Sequence, residues 1–207
     1  MRDILRRLLH DRLFAAIAIV TLGLGIGANT AILSLVMAVM LRPLPYADPG
    51  RIVMIWNAAA LGDMTWLSAN EIRAYREAAP LLDLAAHYTT DGNFTGGQEP
   101  ERVRVALVTP NMMDVLGVQA VLGRAFLPAD ADQGNDDGIV IGYGLWQRRY
   151  GGEPDIVGRR IDVNGRQRTI IGVMPPNFRL PLDYRADRPT EGWTPLGLEP
   201  ITPGQWG

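Results

Sequence analysis

Two histidines (His10 and His87), two serines (Ser34 and Ser68) and no cysteine are the usual raw material for nucleophilic or soft-metal chemistry in this 207-residue chain. The missing cysteines exclude a disulfide framework and thiolate chemistry. Two histidines without cysteine make a zinc site of the usual ligand type an unpromising reading, and His87, in a strand-like stretch, reads as a packed or surface residue. Ser34 falls inside an apolar run and Ser68 at a helix start, and neither sits in a G-x-S-x-G elbow. Every basic side chain is arginine. A Walker A loop needs its lysine on the β- and γ-phosphates, so any ATP that drives this protein must be bound by another chain or segment. The acidic stretch from Asp130 to Gly138 places Gly134, Asn135 and Ile141 where a calcium loop needs an oxygen donor, a glycine and a glutamate. It reads as a solvated surface loop, and the pair Arg148 and Arg149 as the solvated face of a helix. No catalytic, cofactor-binding or metal-ligating residue is nominated.

The glycine-rich run Gly23-Leu24-Gly25-Ile26-Gly27-Ala28-Asn29-Thr30 resembles a phosphate loop only in its letters, because no strand precedes it and no lysine follows. It lies within Leu13 to Leu41, which contains no charged residue. A bilayer core of ~30 Å needs about 20 apolar residues in a helix, and this run exceeds that. A cleaved signal peptide is the competing reading. Its apolar region would be about 7–15 residues long and would end at small residues, whereas Met40 and Leu41 are large. Gly23 and Gly27 have the small-xxx-small spacing that lets a second helix approach. Asn29 and Thr30 are expected to face protein or the outer interface. These four are the helix-packing candidates.

Arg2, Arg6, Arg7 and Arg12 outnumber Asp3 and Asp11 before the run, which favours a cytoplasmic amino terminus and places the rest of the chain outside the cytoplasm; Arg42 counts against this without reversing it. Ile4, Leu5, Leu8, Leu9 and Leu13 recur at helical spacing, so the basic end reads as an interfacial helix. With a net charge of −2 and a basic front end, the remainder is mildly acidic, which argues against a nucleic-acid partner.

After the break at Pro43, Pro45 and Pro49 to Gly50, the residues predict a small α+β domain. Arg51 to Asn57 is a strand candidate. Ser68 caps a helix through Ala78, with Glu71 completing a capping box and Pro80 ending it. Strands are expected over Leu84 to Thr90 and Arg102 to Val108, with a turn-like stretch from Asn93 to Pro100. Thr109 is expected to cap a short helix beginning at Pro110 and stopping at Gly117. Ile139 to Ile141 reads as a buried strand and Tyr143 to Tyr150 as a helix. Arg160 to Val163, Asn164-Gly165 and Arg168 to Met174 read as a hairpin. The stretch from Pro175 shows no strong periodicity.

In this order the residues resemble the MacB-like family of ABC-transporter permeases, in particular the duplicated orphan permeases of acidobacteria and their relatives. The resemblance is carried by GIGANTAILSLVMAVMLRPLPYADPGRIV (Gly25 to Val53), VLGVQAVLGRAF (Val115 to Phe126), YGLWQRRYGGEPDIVGRRIDVNG (Tyr143 to Gly165) and TIIGVMPPNFRLP (Thr169 to Pro181). It implies an α+β fold in five parts: a basic interfacial helix over 1–12, a transmembrane helix over 13–41, a mixed α/β porter-like part over 42–122, an inserted β-rich subdomain over 123–182, and a Pro/Gly-rich tail over 183–207 as the incomplete end of the domain. Family members continue past this point, so a truncated or partial permease is expected.

The implied setting is the bacterial cytoplasmic (inner) membrane with the domain in the periplasm. The implied partners are an ATP-binding ABC subunit, further permease helices or a second permease copy, the lipid bilayer and periplasmic adaptor proteins. The implied activity is ATP-driven motion passed to the periplasmic domain, for export of drugs, peptides or lipids or for release of lipoproteins. A membrane-anchored binding or adaptor module without transport activity is the alternative. A tethered enzyme would need a convergent polar site that these residues do not predict.

Overall fold

A computed structural model of the protein describes residues 12–40, 46–58, 64–95, 99–132 and 134–198, and the chain divides into two units, 1–44 and 45–207. The interfacial helix expected over 1–12 lies outside the described residues except for Arg12. The first unit is one helix, α1 (Arg12–Met40). Within it, Leu13–Ser34 is a 22-residue stretch long and apolar enough to cross a membrane. At ~1.5 Å per residue it is about 33 Å long, which matches a bilayer core of ~30 Å. Leu13, Phe14, Val20, Leu24, Ile26 and Ile32 are all exposed. A helix that is apolar all round belongs in a protein core or in lipid.

The second unit begins with a 3-10 turn, Pro49–Arg51, and a short hairpin of β1 (Asn57–Ala58) and β2 (Met64–Thr65). The predicted strand over Arg51 to Asn57 does not form. Only Asn57 pairs, and Val53, Met54, Ile55 and Trp56 stand exposed. The next helix, α2 (Ala69–Ala78), forms as predicted: the Glu71 carboxylate accepts the Ser68 N–H at 2.7 Å and the Ser68 hydroxyl accepts the Glu71 N–H at 3.3 Å.

β3 (His87–Thr95) starts later and runs further than predicted, reaching through the supposed turn to pair Asn93 with Arg102 and Phe94 with Glu101 of β4 (Glu101–Val108). The helix after β4, α3 (Met112–Leu116), starts two residues late. The Thr109 hydroxyl does not cap it and instead accepts the Ala86 N–H at 3.0 Å, tying down the approach to β3. The stop at Gly117 is as expected, with φ 64°. β5 (Leu122–Gly123), β6 (Gly138–Ile141), α4 (Tyr143–Tyr150), β7 (Arg160–Val163), β8 (Arg166–Val173) and β9 (Gly192–Pro195) follow. Asn164 and Gly165 both take positive φ, as a two-residue hairpin turn requires.

These strands close on themselves. Hydrogen-bonded neighbours run β8–β6–β9–β4–β3–β7, and β7 pairs again with β8, which makes a six-stranded barrel with β5 attached to the end of β8. The pairs β4–β9 and β6–β8 are parallel and the remainder antiparallel. The expected 42–122 part supplies the adjacent strands β3 and β4, and the expected 123–182 part the adjacent strands β7, β8 and β6. The expected tail supplies β9, which lies between β4 and β6 with all four residues buried. It went unread because both of its faces are covered, so it shows neither alternation nor a polar side.

Two apolar cores share the wall. Phe94, Val103, Val105, Ile139, Ile141, Ile161, Val163 and Ile170 fill the barrel with Leu145, Trp146 and Tyr150 of α4. Ala106, Val108, Val140 and Trp193 point outward beneath Met112, Met113 and Leu116 of α3, joined by Tyr46, Phe126, Phe178 and Leu180. The interior is tight enough to require Gly92, where an added Cβ would stand 2.8 Å from Val105 and 3.1 Å from Val163. Closure also explains the failed first strand, because β propensity is realised only against a neighbour, and a closed barrel offers no edge. Trp193, 1% exposed between the two cores, sets the strength of this arrangement. Trp193→Ala is expected to cost about 3–5 kcal/mol, read as a lowered midpoint in denaturant unfolding.

Candidate functional site

The nominated residues all lie on α1, and the structure sorts them. At ~100° per residue, Gly23, Gly27 and Thr30 fall on one stripe and Asn29 well off it. No side chain comes within 4 Å of a Cβ added at Gly23 or Gly27. The Thr30 hydroxyl donates to the Ile26 carbonyl at 2.8 Å, and Thr21 does the same to Ile17. Both hydroxyls are therefore satisfied within the helix, and the stripe of Gly23, Gly27 and Thr30 is shallow and uncovered by any described residue.

In the second unit several charged groups are paired in ways that hold the fold together. Arg149, predicted to be solvated, is buried: it donates to the carbonyls of Glu99 at 2.8 Å and Phe94 at 3.3 Å, with the Glu101 carboxylate 3.5 Å away. Its neighbour Arg148 bridges Glu101 at 2.7 Å and Glu191 at 2.9 Å. The Glu191 and Glu101 carboxylates hold its guanidinium even further above the ordinary arginine range. The two arginines thus bind α4 to the starts of β4 and β9, with Leu145, Trp146 and Tyr150 plugging that end of the barrel. Sequence reading missed this because two adjacent arginines on a short amphipathic helix give no sign of which one faces inward.

The acidic stretch is likewise structural in part. Asp130 is buried and grips Arg124, accepts the Leu127 N–H at 2.7 Å, and has its pKa held low chiefly by the Arg124 hydrogen bond. Asp136 and Asp137 hold Arg166. Asp183 accepts from the Thr190 hydroxyl at 2.8 Å and the Leu180 N–H at 3.1 Å. Burial pushes the His87 pKa down, so its imidazole is neutral. Among the described residues no three of His, Cys, Asp or Glu are grouped to hold a metal.

One helix is long and apolar enough to cross a bilayer, and the second unit is a closed barrel with a helix over one end. The profile of the MacB-like periplasmic core domain matches residues 15–194. The chain belongs to that family, a component of ABC-transporter permeases. A comparison with curated protein sequences finds no match. Among solved structures the chain is similar to the extracellular domain of the noncanonic ABC-type transporter YknZ from Gram-positive bacteria, at 16% identity and a TM-score of 0.51 over 62% of each chain. It is also similar to the periplasmic region of MacB from Actinobacillus actinomycetemcomitans, at 15% identity and a TM-score of 0.53 over 75% of this chain and 63% of that one. The chain therefore spans less than two thirds of either structure, and at these identities the likeness is one of fold.

The two arginines of α4 separate by burial. Arg149→Ala leaves two carbonyls without their donor inside the fold and is expected to destabilise by about 3 kcal/mol. Arg148→Ala removes a half-exposed bridge and is expected to cost about 1 kcal/mol or less. Urea unfolding of the two variants measures the difference.

Proposed function

We propose that this chain is part of the membrane subunit of a MacB-like ABC transporter, with its amino terminus in the cytoplasm and its barrel domain outside the cytoplasmic membrane. The observation that carries this reading is the continuity of the family match, which starts inside α1 and ends in β9 and so covers both the helix and the barrel. ATP is bound and hydrolysed by a partner ATPase, consistent with a chain that has no lysine for a Walker A loop. Movement of α1 against neighbouring permease helices, or against a second permease copy, passes to the barrel, which acts on an exported molecule or a periplasmic adaptor. The Gly23, Gly27 and Thr30 stripe supports such a helix contact.

The absence of cysteine makes the orientation directly testable. Arg2→Cys and Asp155→Cys each introduce a single thiol, the second on an exposed position of the barrel domain. In intact spheroplasts a membrane-impermeant maleimide is expected to label Asp155→Cys fully and Arg2→Cys only after permeabilisation. Labelling in the reverse order, or of both in intact cells, contradicts the reading.

A further inference from the structure

α4 closes one end of the barrel; the other end opens into a cavity of about 260 Å³. Inward-facing side chains line it: Thr90 and Gly92 from β3, Val105 and Leu107 from β4, Val163 from β7, Arg166 and Arg168 from β8 and Thr194 from β9, with Asn164 at the rim. The floor is apolar, with Val105 and Val163 buried. Four of the polar groups differ in how they are engaged. Arg166 is held by Asp136 at 2.6 Å and Asp137 at 3.1 Å, and Asn164 by the backbone of Asn93. Among the described residues, the Arg168 guanidinium donates only to the Asp136 backbone carbonyl, through one nitrogen. Thr194 is buried, 4% exposed, with its hydroxyl at the cavity wall.

A partly buried guanidinium with donors to spare is an unusual thing to leave facing a cavity. Its planar fork matches the two oxygens of a carboxylate. Burial and then the neighbouring Arg166 push the Arg168 pKa down, against the pull of Asp136 and Asp137. Asp136 and Asp137 stand nearby and balance Arg166 and Arg168, so the cavity carries no net charge and offers the Arg168 donors rather than a strong positive field. That favours a monoanion over a phosphate dianion. The volume lies below the ~300–1,000 Å³ of pockets for drug-sized ligands, which favours a short chain. We propose that the open barrel mouth binds a short-chain monocarboxylate, with its carboxylate on Arg168 and the Thr90 and Thr194 hydroxyls and its apolar end on Val105, Leu107 and Val163. The group recognised could belong to a free short-chain acid or to the carboxyl terminus of a peptide ending in an apolar residue.

The test is a titration of the full chain in lipid nanodiscs with hexanoate at neutral pH, read by saturation-transfer NMR with empty nanodiscs as the blank. A parallel arm uses a tripeptide ending in leucine, as the free acid and as the amide. Saturable binding of hexanoate or of the free-acid peptide below about 10 mM, at least about tenfold weaker in Arg168→Gln, is expected; the stronger of the two identifies the source. Hexanol, hexylamine and the peptide amide are expected not to saturate. Leu107→Trp fills the cavity while leaving Arg168 in place, and is expected to abolish binding in a protein whose unfolding midpoint is retained. No saturable carboxylate binding, equal binding by hexanol, or unchanged affinity in Arg168→Gln or Leu107→Trp overturns the proposal.

Discussion

β7 pairs on both of its sides, with β3 through Phe94 and Val163 and with β8 along its whole length. That one double pairing turns a sheet into a barrel, and much of the second unit depends on it. Closure gives the wall an inside and an outside, each with its own apolar core. It also removes the edges to which another strand could add, which is why residues 52–56 run unpaired despite their strand-like composition. With one end plugged by α4 under the grip of Arg148 and Arg149, the interior is left with a single described opening, at the Arg168 end.

The readable parts of this fold were those determined by neighbours in sequence. The Ser68–Glu71 capping box and the Asn164-Gly165 turn follow from contacts within a few residues, while the strand at Ile139 to Ile141 and the helix Tyr143–Tyr150 were legible from local composition, and all form. What escaped depends on contacts between distant residues. β9 carries Gly, Trp, Thr and Pro and shows no period, because its surroundings come from β4 and β6, roughly 85 and 50 residues earlier. Arg149 looks like its neighbour Arg148 until the chain returns with the Phe94 and Glu99 carbonyls. The site positions on α1 were legible as a spacing, yet their meaning lies in a surface that no described residue covers.

The family match covers both α1 and the barrel. In the proposed function, displacement of α1 is useful only if the barrel moves as a body. The fold suits this role because the early strands β3 and β4 are paired to later strands on both sides, β7 at one seam and β9 at the other, so neither part can swing without breaking ladder hydrogen bonds. A domain held this way should open in one step.

Native-state hydrogen exchange of the full chain, followed against denaturant at the amides of β3, β4, β7 and β9, measures that cooperativity directly. The account predicts that all four strands converge on one opening free energy. If β7 and β8 exchange through a separate, weaker opening while β3 and β4 stay protected, the barrel is not a single body and the account fails.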